Sequence, residues 1–291
     1  VLTKQEEFEF IATFGEQFTV SILLKIVNRV SKSGYYKWRK HKDSYIRPIR
    51  DQELFHLIFE VFAHSKGTYG KKRIRLALLK QYGLVINLKC IARIMRKYGL
   101  VCKCRQPRFK RRKQPHGTIS NVLDRQFTSD AMGKKFCIDI TYIEVKKPGR
   151  RWIYLCAIKD LFNNEVVAYN ISQQQDMKLV LETIQQLKEK GFEKGAILHS
   201  DQGHHFTNPS YISTLANLGL TQSMSRRGNC WDNASIENFF GHLKCEMPCF
   251  SSPQTVEEVQ AALVEYINYY NEERIQNKHG MSPVEYRTHA A

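Results

Sequence analysis

Between Glu60 and Asp124 the chain carries no acidic residue at all. Lys and Arg number 17 in that window, and the other 28 of the 45 basic residues match the 28 Asp and Glu of the whole chain. The net charge of +17 therefore arises entirely from about a fifth of the sequence. A dispersed excess would bear only on solubility. A concentrated one is the footprint of a polyanion-binding surface, most often for nucleic acid. Long apolar runs are also missing: none approaches the roughly 18 residues of a membrane-spanning helix. The first ten residues lack the basic-then-apolar order of a secretory signal. The eight cysteines form no Cys-x-x-Cys pair, so reduced thiols in a cytoplasmic, nucleoid-associated protein are expected. His242, Cys245 and Cys249, with Cys102 and Cys104, are the one grouping that suggests zinc, and their spacing fits no common zinc module.

At 291 residues the chain has room for about two domains. Residues 1–48 read as helical. Ser31-Lys-Ser-Gly-Tyr-Tyr-Lys-Trp38 gives a turn and an aromatic, basic helix, compatible with a helix-turn-helix or a plain helical hairpin. Residues 49–101 form a second helical segment. Leu54, Leu57, Ile58, Val61 and Phe62 make a helical stripe. Gly67-Thr-Tyr-Gly70 interrupts it, 71–82 resumes, and Gly83 stops it. Asn87 then caps a helix with Leu88, Ile91, Met95 and Tyr98 on one face and Lys89, Arg93 and Arg96 on another. A polar face that is basic and free of acids fits a helix lying on DNA, whereas solvated faces normally mix signs. The stretch 102–132 is a basic linker, in which Arg108, Lys110, Arg111 and Arg112 are expected to track phosphates.

From 133 to 291 the texture is α/β. Strands are expected at 136–145, 151–158 and 165–171, with a turn at 160–164. A helix follows at 177–190, a strand at 195–200, a helix at 209–218 and a short strand at 220–223. Polar, Gly-containing residues 223–233 lead into a helix capped by Asp232 or Asn233. On that helix Glu237, Phe240, Gly241 and Lys244 share a face. Thr255 and Glu258 form a capping box for a last long helix over 255–271, and a tail with Arg274 reads as irregular.

Asp139 falls mid-strand, Asp201 at the carboxyl end of the fourth strand, where open α/β sheets place their chemistry, and Glu237 on a following helix. Each alone is a weak signal, and Glu237 with Lys244 alone reads as a solvated pair. Three carboxylates brought together repel one another unless cations sit between them. Hard oxygen donors at an open site suit Mg²⁺ or Mn²⁺, and two such ions serve in-line phosphoryl displacement.

The motifs Ile138-Asp-Ile-Thr-Tyr-Ile143, His199-Ser-Asp-Gln-Gly203, Ser223 to Ala234, Glu237-Asn-Phe-Phe240 with Leu243-Lys244, and Tyr269-Tyr-Asn with Pro283-Val-Glu-Tyr286 resemble a known family. It is the IS-three family of insertion-sequence transposases, within the DDE transposase and retroviral integrase superfamily. Thirty-five residues separate Asp201 from Glu237, the separation this family uses. Residues 67–100 are similar to its helix-turn-helix segment. The resemblance implies an RNase H-like mixed sheet preceded by an all-α region. It implies Asp139, Asp201 and Glu237 as catalytic, metal-binding residues holding two Mg²⁺ or Mn²⁺ ions, and Lys244 as a DNA contact. It further implies hydrolysis at an element's 3′ ends, then attack of the freed 3′-hydroxyl on a target phosphodiester.

The expected partners are double-stranded DNA (terminal inverted repeats and target), further copies of the chain, and the product of an upstream reading frame, since no heptad run is present and the chain begins with Val. Arg226 and Arg227 would clamp DNA ends. Two other readings stand beside this one: a catalytically silent DNA-binding regulator, and a nuclease that cuts without joining. The chain departs from the family pattern at Phe136 and Cys137, where a Trp is usual, and at His205, where a Gln is usual. His205 reads as structural, not as a metal ligand.

Overall fold

The structure is a computed structural model that describes residues 2–41, 47–104, 122–123, 128–149, 151–225 and 233–290. The chain divides into two compact units, Val1–His56 and Leu57–Ala291. In the first, α1 (Lys4–Phe14) opens with a capping box between Thr3 and Glu6, and α2 (Val20–Ile26) and α3 (Lys32–His41) follow. Ile11, Leu23, Val27, Val30 and Tyr35 form a small core, beside which Phe8 and Trp38 stack at 5.3 Å. Glu7 is buried because its carboxylate accepts from the backbone N–H of Arg29 at 2.9 Å. That bond closes the bend between α2 and α3.

Helix α4 (Arg47–His64) leads into the second unit. There α5 (Lys71–Tyr82) ends on Gly83 at φ +64°, the left-handed turn that glycine adopts without strain. Asn87 caps α6 (Leu88–Lys97) by accepting from Lys89 N–H at 2.8 Å. Ile74, Ala77 and Leu78 of α5 and Ile91, Ile94 and Met95 of α6 are buried. The basic residues Lys89 and Arg96 remain exposed.

The sheet comprises β1 (Lys135–Val145), β2 (Arg151–Asp160), β3 (Val166–Ser172), β4 (Ile197–Ser200) and β5 (Thr221–Met224), in the order β3-β2-β1-β4-β5. The first three strands are an antiparallel meander, with Phe136 opposite Asp160 and Val145 opposite Arg151. β4 runs parallel to β1 but pairs with it only at Lys135, Phe136 and Cys137. β5 runs parallel to β4. This is the RNase H-like mixed sheet expected from the sequence.

Alternation along β1 divides the core in two, because successive side chains point to opposite faces. Cys137, Ile143 and Val145 face α9 (Ala234–Glu246) and α10 (Val256–Glu272). Phe136 and Ile138 face α7 (Met177–Lys190) and α8 (Pro209–Leu218). The expected Thr255–Glu258 capping box is present, a feature worth about 1 kcal/mol. The buried stripe Val259, Leu263, Ile267 and Tyr270 contributes about 1.5–3 kcal/mol for each side chain. The stripe therefore holds α10 on the sheet, and the box sets where the helix begins. The last helix is α11 (Pro283–Ala290). No helix among the described residues is long and apolar enough to cross a membrane.

Three expectations need correction. β2 runs on through Lys159 and Asp160, because the Asp160 carboxylate accepts from Gly133 N–H and Phe162 N–H, each at 2.8 Å, and so ends the strand itself. Asn233 holds the N-cap position of α9, but its side chain makes no capping bond. Phe240 points into the core, while Glu237, Gly241 and Lys244 are exposed.

Candidate active site

Asp139 lies opposite Ala157 in the middle of β1. β4 leaves β1 after Cys137, so Asp139 stands just past a fork in the sheet. Its Oδ1 accepts from Ile140 N–H at 2.7 Å, and its Oδ2 from the Asn233 amide at 3.2 Å. The Asn233 amide nitrogen is thus turned toward β1, and its oxygen makes no bond to the first turn of α9. Asn233 is buried, and among the described residues its own Oδ1 has no hydrogen-bond partner.

Asp201 follows the last residue of β4. Its Oδ1 accepts from Gly203 N–H at 2.8 Å. A Cβ on residue 203 would stand 3.0 Å from that same oxygen, so a larger residue there would press on the Asp201 carboxylate. Beneath it, His199 is fully buried, with its ring nitrogens 2.9 Å from Ser223 Oγ and 3.2 Å from Ser225 Oγ. These contacts tie the ends of β4 and β5 together. His205 is buried, with Nε2 3.1 Å from the Gln175 carbonyl, a structural placement. Glu237 occupies the first turn of α9.

The three carboxylates share one electrostatic neighbourhood. Burial, then the charge of Asp201, and then that of Glu237 push the Asp139 carboxyl well above its ordinary range, while Ile140 N–H and Lys244 oppose them. Burial also raises Asp201, against the Gly203 N–H and His205. Lys244 lies two turns beyond Glu237, with Nζ 4.7 Å from the centre of the Tyr142 ring. Tyr142 in turn meets Trp152 edge-to-face at 5.0 Å.

Among the described residues, no three His, Cys, Asp or Glu side chains are drawn together as a finished metal-ligand set. The chemistry of the donors nevertheless fits a hard divalent cation. They are carboxylate oxygens at an open edge, and burial and mutual repulsion disfavour their charged forms until a cation arrives. The thiols are engaged differently: Cys104 Sγ donates to the Cys245 carbonyl and Cys245 Sγ to the Cys104 carbonyl, at 3.8 and 3.4 Å.

Of the expected DNA contacts, Lys89 and Arg96 are exposed on α6, and Arg93 is half-buried with Nη2 3.8 Å from Cys90 Sγ. Arg108, Lys110, Arg111, Arg112, Arg226 and Arg227 lie outside the described residues, as does Asp232. Sequence reasoning missed Asn233 as a partner of Asp139. It also missed Lys159, a buried lysine whose Nζ donates to the Ser235 carbonyl at 2.7 Å at the start of α9. Its one sequence signal was a lysine directly after the apolar run Leu155-Cys-Ala-Ile158.

Known proteins resemble this chain over most of its length. Residues 129–230 and 237–290 match models described as integrase core domain, and residues 49–108 one described as HTH-like domain. Fold and matches together define the class: a DDE-type polynucleotidyl transferase with an integrase core. The putative transposase InsK of insertion sequence element IS150 from Escherichia coli K12 is 36% identical over 261 residues, spanning 89% of this chain and 90% of that protein. Transposase InsF of insertion sequence IS3A from the same organism is 29% identical over 245 residues, 82% of this chain and 83% of that one. The HTLV-2 integrase catalytic core in complex with magnesium matches with a TM-score of 0.42 at 14% identity, over 53% of this chain and 95% of that one. The chain belongs to the IS-three family of insertion-sequence transposases.

Proposed function

We propose that the chain cleaves the ends of its insertion sequence and joins them to target DNA, with Asp139, Asp201 and Glu237 as the catalytic carboxylates. The observation that carries this reading is the mutual field of the three groups at the fork between β1 and β4. The three side chains would hold Mg²⁺ or Mn²⁺, two ions to a site. The bound ions would activate the attacking oxygen and stabilise the leaving one. Asn233 keeps the Asp139 carboxylate turned toward the site. Lys244 meets a phosphate of the end DNA, and Lys89, Arg93 and Arg96 contact the duplex further in. Water hydrolyses the 3′ end first; the freed 3′-hydroxyl then attacks a target phosphodiester and displaces a 3′-oxygen. Two ends held together call for more than one copy of the chain on DNA.

The test is cleavage and joining of labelled end DNA with Mg²⁺. Asp139→Asn, Asp201→Asn and Glu237→Gln should each abolish both steps and leave end binding intact. Joining by any of the three variants would overturn the assignment, and cut but unjoined products from the unaltered protein would make it a nuclease.

A further inference from the structure

A cleft of about 1190 Å³ runs between the α5–α6 pair and α9. One wall carries Lys71, Lys72 and Arg96, and the other Glu237, Asn238 and Gly241. All three cations are exposed. The spacing of the walls is fixed from below. Arg73 Nη1 reaches Glu246 at 3.4 Å, Tyr69 Oη accepts from Ile275 N–H at 2.9 Å, and Lys80 pairs with Glu285.

Gly241 adds an independent indication. It lies in the interior of α9, where glycine is less favourable than alanine because it loses more backbone freedom on folding. Packing does not require it, since a Cβ there would meet nothing within 4 Å. A bare helix surface opposite a row of cations, one turn from Glu237, suits the close passage of a sugar-phosphate backbone.

We propose that this cleft holds a strand of the element's end DNA, with Lys71, Lys72 and Arg96 on its phosphates. The chain whose α6 reads an end then presents that same end to its own Glu237. This rests on the catalytic reading of Glu237 given above. The geometry carries it because Arg96 of the reading helix and Glu237 line one continuous space within one compact unit.

Two measurements test it. First, the log–log salt slope of end-DNA binding should fall by about 2 in Lys71→Glu/Lys72→Glu, one for each lost phosphate contact. Lys71→Arg/Lys72→Arg should keep the slope. An unchanged slope in the charge-reversed protein, with its melting temperature preserved, would overturn the cleft as a DNA site. Second, two differently tagged chains are co-expressed and purified through both tags, so that every complex holds one of each. Complexes of Lys71→Glu/Lys72→Glu with Glu237→Gln should stay inactive, whereas complexes of the unaltered chain with Glu237→Gln should cleave. Cleavage by the doubly defective pair would show delivery between subunits and overturn the same-chain assignment. Cleavage by a chain that forms no mixed complex would be delivery to its own Glu237 and would support the same-chain assignment. Cleavage by Glu237→Gln by itself would sink the catalytic reading instead and leave the salt slope to judge the cleft.

Discussion

Replacing Glu246 should unfold the catalytic unit far more readily than replacing any of the three site carboxylates. Glu246 ends α9 with only 2% of its surface exposed, and Arg274 opposite is 1% exposed. The guanidinium donates through Nε and Nη2 to the two carboxylate oxygens, both at 2.7 Å, and Tyr266 Oη donates to one of them at 3.0 Å. Glu246→Ala strands a buried guanidinium, which costs about 3–5 kcal/mol. For a unit of this size, each kcal/mol moves the melting temperature by about 2–4 °C, so a fall on the order of 10 °C is expected.

Glu246→Ala/Arg274→Met removes both charges and should recover most of that loss. Burial raises the Glu246 carboxyl, but Arg274 and then Arg73 outweigh it and hold it below its ordinary value. A depressed carboxylate contributes stability above its unfolded pKa and loses it as pH falls through the folded value. The unaltered protein should therefore lose melting temperature below about pH 4.5, the ordinary glutamate value, and Glu246→Gln should lose less there. Calorimetry at neutral pH and across pH 3–6 is the assay. A drop of under about 3 °C for Glu246→Ala, or no recovery in the double variant, would refute the reasoning.

Asn233→Ala frees the Asp139 carboxylate to rotate, and end cleavage should slow by about tenfold with the melting temperature little changed; equal loss of stability and rate would reduce Asn233 to a packing residue. Burial lowers Lys159 to about 8. The unfolded chain then binds more protons than the folded one between that value and the ordinary lysine value of 10.5, so stability attributable to Lys159 rises with pH across that window. The melting temperature of the unaltered protein should rise relative to that of Lys159→Met from about pH 8 to 10, and a constant difference would contradict it. DNA binding should weaken steeply with salt because several phosphates are neutralised by the acid-free window; a nearly flat slope would remove residues 61–123 as a docking surface.

Helix limits were legible wherever a local device set them. Gly83 and Asn87 terminate and cap their helices in the structure, and each is a dihedral or side-chain preference acting within a few residues. Strand alternation placed Asp139, and the end of an apolar strand placed Asp201. Long-range partners were not legible. Arg274 read as part of an irregular tail, because nothing in its neighbours announces a buried carboxylate 28 residues back. Asn233 illustrates a second limit: its side chain can turn its oxygen to a helix N–H or its amide nitrogen to a distant carboxylate, and only the approach of β1 decides how it is oriented. Glu237 and Lys244 kept two readings for the same reason, since spacing on a helix does not say what faces it.

Tyr69 sits just before α5, yet its hydroxyl accepts from Ile275 N–H and donates to the Glu273 carbonyl at the far end of α10. The HTH-like segment is thus stitched into the interior of the unit that carries the integrase core. Grafting residues 49–101 from another transposase to redirect this one would leave Ile275 N–H buried without an acceptor wherever the donor lacks that tyrosine. If α6 reads the element's ends as proposed, end preference and stability are inherited together, and a successful graft would have to carry the Tyr69 and Arg73 contacts along with α6.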